Sequence, residues 1–103
     1  MTTPTAIEIV TYRLKPGVDP AQHLQHAMGT RDGVAARAGF RRRQLSCDDT
    51  GLWTDHIEWA SLADARAAAQ SLGDIPGFAA FGADIDDASV DMRHATLHMG
   101  AEA

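Results

Sequence analysis

The sequence predicts an α+β domain of β-α-β-β-α-β order, the ferredoxin-like arrangement of a four-stranded antiparallel sheet with helices on one face. Three observations carry this. Four segments alternate side chains with a period of two, and two longer ones place apolar residues on a helical stripe. Glycine, proline and aspartate punctuate the junctions. Within 52–72 the period changes from two to about 3.6 in the space of two residues, so one strand feeds directly into a helix.

The elements follow in order. Met1–Thr5 is a polar, frayed start. Ala6–Lys15 is the first strand, with Ile7, Ile9 and Thr11 on one side and Glu8, Val10, Tyr12 and Leu14 on the other. Apolar residues on both sides mark a strand covered on both faces. Lys15-Pro16-Gly17 ends it. Asp19 caps a helix with Pro20 in its first position, where a missing amide costs nothing. Leu24, Ala27, Met28, Arg31, Val34, Ala35 and Ala38 form its stripe, and Gly29 and Gly33 favour a break near Thr30–Gly33. Gly39 stops it.

Phe40–Cys47 is the most polar strand and belongs at an edge. Asp48-Asp49-Thr50-Gly51 is a hairpin connection. Trp53, Asp55, Ile57 and Trp59 then alternate with Thr54, His56 and Glu58 in the third strand. Ser61 caps the second helix, with Asp64 three residues on, and Leu62, Ala65, Ala69 and Leu72 are its stripe. Asp74 caps a short third helix carrying Phe78 and Phe81. An acidic turn over 82–89 precedes the last strand, Val90–Met99, where Val90, Met92, His94, Thr96 and His98 share one side.

Residues 1–103 have the length of one domain, and a domain so small gains from oligomerisation. With 45% hydrophobic and 22% charged residues the chain is globular rather than disordered. A formal net charge of −5 argues against general binding to nucleic acid or anionic membrane. Cys47 is the only cysteine, so neither an intrachain disulfide nor a thiolate metal site can form within one chain. No signal peptide or membrane-spanning run is present, which makes the cytoplasm the expected location. Apolar residues on both sides of the strands leave a sheet face in need of a partner, and the simplest partner is the same face of a second copy.

The chain resembles the dimeric α+β barrel superfamily, in the group that includes antibiotic-biosynthesis-monooxygenase-like domains. The resembling segments are Tyr12-Arg13-Leu14-Lys15-Pro16-Gly17-Val18, Ala38-Gly39-Phe40, and Gly51 through Trp59 running into Ser61-Leu62-Ala63-Asp64-Ala65. The resemblance implies a homodimer joined through sheet faces, with a small-molecule pocket in the barrel or between sheet and helices. Members include cofactor-independent oxygenases of aromatic compounds, haem-degrading enzymes, small isomerases and dehydratases. Oxygenase and haem-degrading members often rely on an asparagine with a tryptophan, and this chain contains no asparagine.

His56 and Glu58 project from the same side of the third strand. An imidazole near a carboxylate serves as a general base, unless it is simply a half-buried histidine with a cross-strand partner. The ferredoxin-like order puts the last strand beside the first, so His94 and His56 are expected to face one cavity with Tyr12 between them. Histidines with Glu58 resemble metal ligands in type, but their spacing matches no metal motif, and no metal or other cofactor is expected. Trp53 and Trp59 either floor a pocket for a planar ligand or fill a core. Arg43, in the Arg41-Arg42-Arg43 run, suits a substrate carboxylate or protects an edge. Arg93 is mid-strand and, if buried, requires Asp55 or Asp91. His23 and His26 are expected on the helix surface, and the aspartates of 84–91 in a solvated turn.

Two functions fit these residues. One is a small cofactor-independent enzyme, monooxygenase-like or isomerase-like, acting on an apolar or aromatic compound. His56, Glu58 and His94 would be its catalytic groups, and Tyr12, Trp53, Trp59, Arg43 and Arg93 its ligand contacts. The other is a non-catalytic homodimer that binds a small molecule or serves a structural role.

Overall fold

The computed structural model describes residues 3–103; Met1 and Thr2 lie outside the described residues. The strands are β1 (Ala6–Tyr12), β2 (Phe40–Cys47), β3 (Trp53–Trp59) and β4 (Asp91–Thr96). They form one antiparallel sheet in the order β2-β3-β1-β4. The helices are α1 (Pro20–Gly29), α2 (Arg31–Ala35), α3 (Leu62–Gln70) and α4 (Phe78–Ala83). This is the ferredoxin-like topology that the order of periods predicts.

Local chemistry accounts for most boundaries. Asp19 accepts a hydrogen bond from the Ala21 amide, and Pro20 opens α1. Ser61 accepts from the Asp64 amide at 3.1 Å and starts α3. The long first helix breaks at Thr30, whose hydroxyl donates to the Ala27 carbonyl, so α2 is a separate turn. Gly33 sits in α2 because a Cβ there would lie 2.9 Å from Pro76 Cδ. A bulge between Phe40 and Arg42 resets the phase of β2.

Several expectations are corrected. Thr5 is tied down: its carbonyl accepts from Leu97 and its hydroxyl from Arg41. β1 ends at Tyr12, with Leu14 pairing only Ile85. Asp74 lies in a 3-10 turn, and α4 starts after Gly77 instead. The α1 stripe is rotated: His23 and Ala27 are buried, whereas Leu24 and Met28 are 45% and 56% exposed.

Ala6, Glu8, Val10 and Tyr12 of β1 share the inner, helix-facing side with Trp53, Asp55, Ile57 and Trp59 of β3. The core has two parts on that side. Ala6, Ile57 and Trp59 pack with Val34, Ala65, Ala68 and Ile75. Tyr12 and Trp53 pack with Ala27, Phe81 and Ile85. Val10 only borders the second part, and polar side chains stand between the two.

Candidate functional site

A recess of about 520 Å³ lies between the inner sheet face and the helices, over these polar side chains. Its walls are mostly apolar, with Val10, Ile57, Trp59, Leu72, Phe78 and Phe81 among them. Val90 and Met92 line it as well, and both are 43% exposed. Its volume and sparse polar lining are those of a small-molecule site.

Glu8 is the first polar group, placed on the inner face by strand alternation between Ala6 and Val10. Its Oε1 accepts a 3.3 Å bond from the Trp59 indole N–H. Its Oε2 stands 3.5 Å from His94 Nε2, directly opposite on β4. That nitrogen is buried and makes no satisfactory hydrogen bond among the described residues. Burial pushes the Glu8 carboxyl above its ordinary value, against the opposing pull of the Trp59 bond and the His94 charge.

Arg43 and Asp55 are the second group. Nε and Nη2 of Arg43 donate to the two Asp55 oxygens at 3.0 and 2.9 Å, and Nη1 donates to Thr30 Oγ1 at 2.8 Å. The guanidinium lies 5.7 Å from the Phe81 ring centre. This bidentate pair satisfies Asp55, so Asp55 is the partner of Arg43 and not of Arg93.

Tyr12 is the third. Its ring stacks on Trp53 at 6.3 Å, and its hydroxyl is 2.7 Å from His23 Nε2. Burial, followed by the Asp55 charge, raises the hydroxyl above an ordinary phenol and keeps it neutral. His23 is fully buried, not a surface residue, and its Nδ1 is 2.9 Å from Asp84 Oδ2. His26 Nδ1 reaches the same oxygen at 2.7 Å.

The register brings together only part of the expected set. Tyr12, Trp53, Trp59, Arg43 and His94 are on the inner side. His56 lies opposite Ile9 and Gln44, Glu58 opposite Ile7 and Arg42, and Arg93 opposite Ile9, all on the outer side. His56 and His94 therefore do not share a cavity. Successive side chains alternate, and β3 pairs His56 with an odd-numbered β1 residue whereas β4 pairs His94 with an even-numbered one. Arg93 is exposed on that outer side. Trp53 is buried but does not touch the recess.

Glu8 and His23 are not among the expected site residues: Glu8 is read only as a first-strand position on the Tyr12 side, and His23 only as a surface histidine. Glu8 had a signal: a carboxylate between apolar same-side neighbours on a covered strand. His23 had none nearby, because its partners are Tyr12 and Asp84. Among the described residues no three His, Cys, Asp or Glu side chains are grouped to hold a metal ion, and no helix is long and apolar enough to cross a membrane.

No family model matches the chain, and no curated protein matches it in sequence. Solved structures do match. SnoaB, a cofactor-independent oxygenase from Streptomyces nogalater, is 16% identical with a TM-score of 0.67, covering 97% of each chain. A protein of unknown function from Nitrosomonas europaea is 14% identical with a TM-score of 0.72, covering 100% of this chain and 98% of that one. A hydroxynitrile lyase from Passiflora edulis is 15% identical with a TM-score of 0.67, covering 96% and 98%. At these identities the likeness concerns the backbone alone: the chain shares the ferredoxin-like fold of these structures.

Proposed function

We propose that the protein is a small enzyme that moves a proton on an apolar, ionisable compound held in the recess, with Glu8 as the base and His94 as its partner. The observation that carries this is the Glu8 carboxyl, 4% exposed in an apolar recess and raised above its ordinary value. A base poised closer to neutrality abstracts protons more effectively than an ordinary carboxylate. Deprotonating an electron-rich ligand is what cofactor-independent oxygenation requires, and proton transfer alone suffices for isomerisation. Resemblance to SnoaB supports the first chemistry and the absence of asparagine favours the second. Trp59 and Arg43 belong to the ligand's surroundings in this reading. His56, Glu58 and Arg93 belong to the outer face, where a homodimer would join its two sheets.

The alternative is a binding protein without chemistry. It is favoured by the mutual saturation of Arg43, Asp55 and Thr30, which leaves few free polar groups to engage a ligand. Deuterium exchange into 2-tetralone, followed by proton NMR, separates the two. The enzyme accelerates loss of the acidic C–H, increasingly so as pH rises through the Glu8 pKa. Glu8→Gln loses roughly 10²–10⁴-fold of that rate with its fold intact. Binding without accelerated exchange leaves the non-catalytic reading.

A further inference from the structure

Tyr12, His23, Asp84 and His26 are joined by three hydrogen bonds of 2.7, 2.9 and 2.7 Å. Tyr12 lines the recess, His23 has no exposed surface, and the Asp84 and His26 side chains are 12% and 29% exposed. The chain of bonds thus runs from the recess wall to solvent. Tyr12, Trp53 and Phe81 enclose the His23 ring, with centroids at 5.5, 4.8 and 5.0 Å. The Glu8–His94 chemistry uses none of the four linked residues.

Donor and acceptor rules give the bonds a direction. An ionised Asp84 only accepts, so both imidazoles donate Nδ1–H to it. His23 is then left with a bare Nε2 that accepts from the Tyr12 hydroxyl. Burial opposes the Asp84 charge, but the hydrogen bonds donated by His26 and His23 outweigh it and hold the carboxyl below its ordinary value. The other charged or titratable groups acting on Tyr12 are Asp55, Arg43 and Cys47, and Arg43 opposes the rest. A buried carboxylate orienting a histidine toward a hydroxyl has the polarity of a hydrolytic triad, here with a phenol in the hydroxyl position.

We propose that Tyr12, His23, Asp84 and His26 form a proton conduit between the recess and solvent. Where Glu8 takes a proton from carbon, the conduit takes one from oxygen: a bound phenol or enol gives its O–H proton to the Tyr12 oxygen as the Tyr12 proton moves to His23 Nε2. The ligand is left as an anion, Tyr12 stays neutral, and His23 becomes a cation against the Asp84 carboxylate. His23 then passes its Nδ1 proton to Asp84, and water takes it at the rim beside His26. One proton leaves the ligand and one reaches solvent, with no other reactant consumed. The conduit rests on the proposed function only for what occupies its inner end.

Solvent exchange of the Tyr12 hydroxyl proton, measured by NMR on the ligand-free protein, tests it. A conduit exchanges this proton faster than the β1 and β3 amides, which wait for larger openings. Asp84→Asn keeps an acceptor but cannot relay, and His26→Gln removes the outer group. Each should slow the exchange about tenfold or more relative to the amides, whereas a purely structural network, once weakened, opens more often and exchanges faster. His26→Gln, at a half-exposed position, keeps the test valid if Asp84→Asn does not fold. Exchange at the amide rate, or unchanged or faster exchange in the variants, overturns the conduit. Fluorescence of added 1-naphthol reports the recess separately: a failure to bind overturns the recess reading and leaves the exchange result standing.

Discussion

Glu8 couples the site to the stability of the fold. Its carboxyl has a higher pKa folded than unfolded, chiefly because burial disfavours the charge. Between the two values the native state keeps a proton that the unfolded chain has lost, so stability falls as pH rises through that window and stays lower above it. Glu8→Gln removes the ionisation and still offers an oxygen to the Trp59 indole. Urea denaturation should find the variant more stable than the parent at pH 7, and the two alike at pH 4. A variant less stable at pH 7 would mean that the carboxylate is a net stabiliser through His94. The same residue shows what a sequence can and cannot disclose at this scale. Alternation fixes which side of its own strand each of Tyr12, Trp59 and Arg43 takes, but not which sides of neighbouring strands coincide: Tyr12 is expected beside His56 and lies with Trp53 and Trp59 instead. His56 and His94 each have a legible side too, but no local feature says which sides of β3 and β4 coincide. His23 and Asp84, 61 residues apart, meet only through the packing of α1 on α4.

Element boundaries were more legible than element orientations, because caps and turns are local. Asp19-Pro20, Ser61 and the 48–51 hairpin all stand where their chemistry puts them. The facing of α1 was not legible: its apolar content suits Leu24 and Met28 for burial, and the Tyr12 and Asp84 bonds to His23 override it. Gly39 joins two elements. Its φ is +81°, its carbonyl accepts from Ala60 at 2.7 Å, and a Cβ there would collide with the Asp64 side chain. Gly39→Ala therefore meets both a left-handed backbone and a steric conflict with the first turn of α3. The loss should exceed the backbone cost of about 1–2 kcal/mol. Adding Asp64→Gly removes the collision, Asp64 Cβ at 2.7 Å included, but not the backbone cost, so thermal unfolding of the double variant, compared with Asp64→Gly alone, should recover part of the loss. No recovery would locate the whole cost in the backbone.

At the scale of the molecule, the helices cover the inner sheet face through both parts of the core. The outer face carries Ile7, Ile9 and Ala95 beside Arg42, Glu58 and Arg93. It also holds His56, half-buried, whose Nδ1 is shielded from solvent without a hydrogen-bond partner among the described residues. An unpaired buried nitrogen costs free energy, and a second copy can supply the missing partner. A face with apolar residues at its middle and charges around them has the anatomy of a protein interface, and a stable one buries about 800 Å² on each side. Sedimentation at low micromolar concentration should give about twice the chain mass of 11.0 kDa. Ile9→Arg, at the centre of the β1 outer face, should shift the particle to one chain while circular dichroism keeps its native form. His56→Ala should weaken the dimer less than Ile9→Arg, because it removes the unpaired nitrogen along with its contacts. A parent protein that sediments as one chain would remove the dimer, and an Ile9→Arg variant that stays paired would move the interface to another surface. Exposed Leu24 and Met28 on α1 would then be the next surface to test.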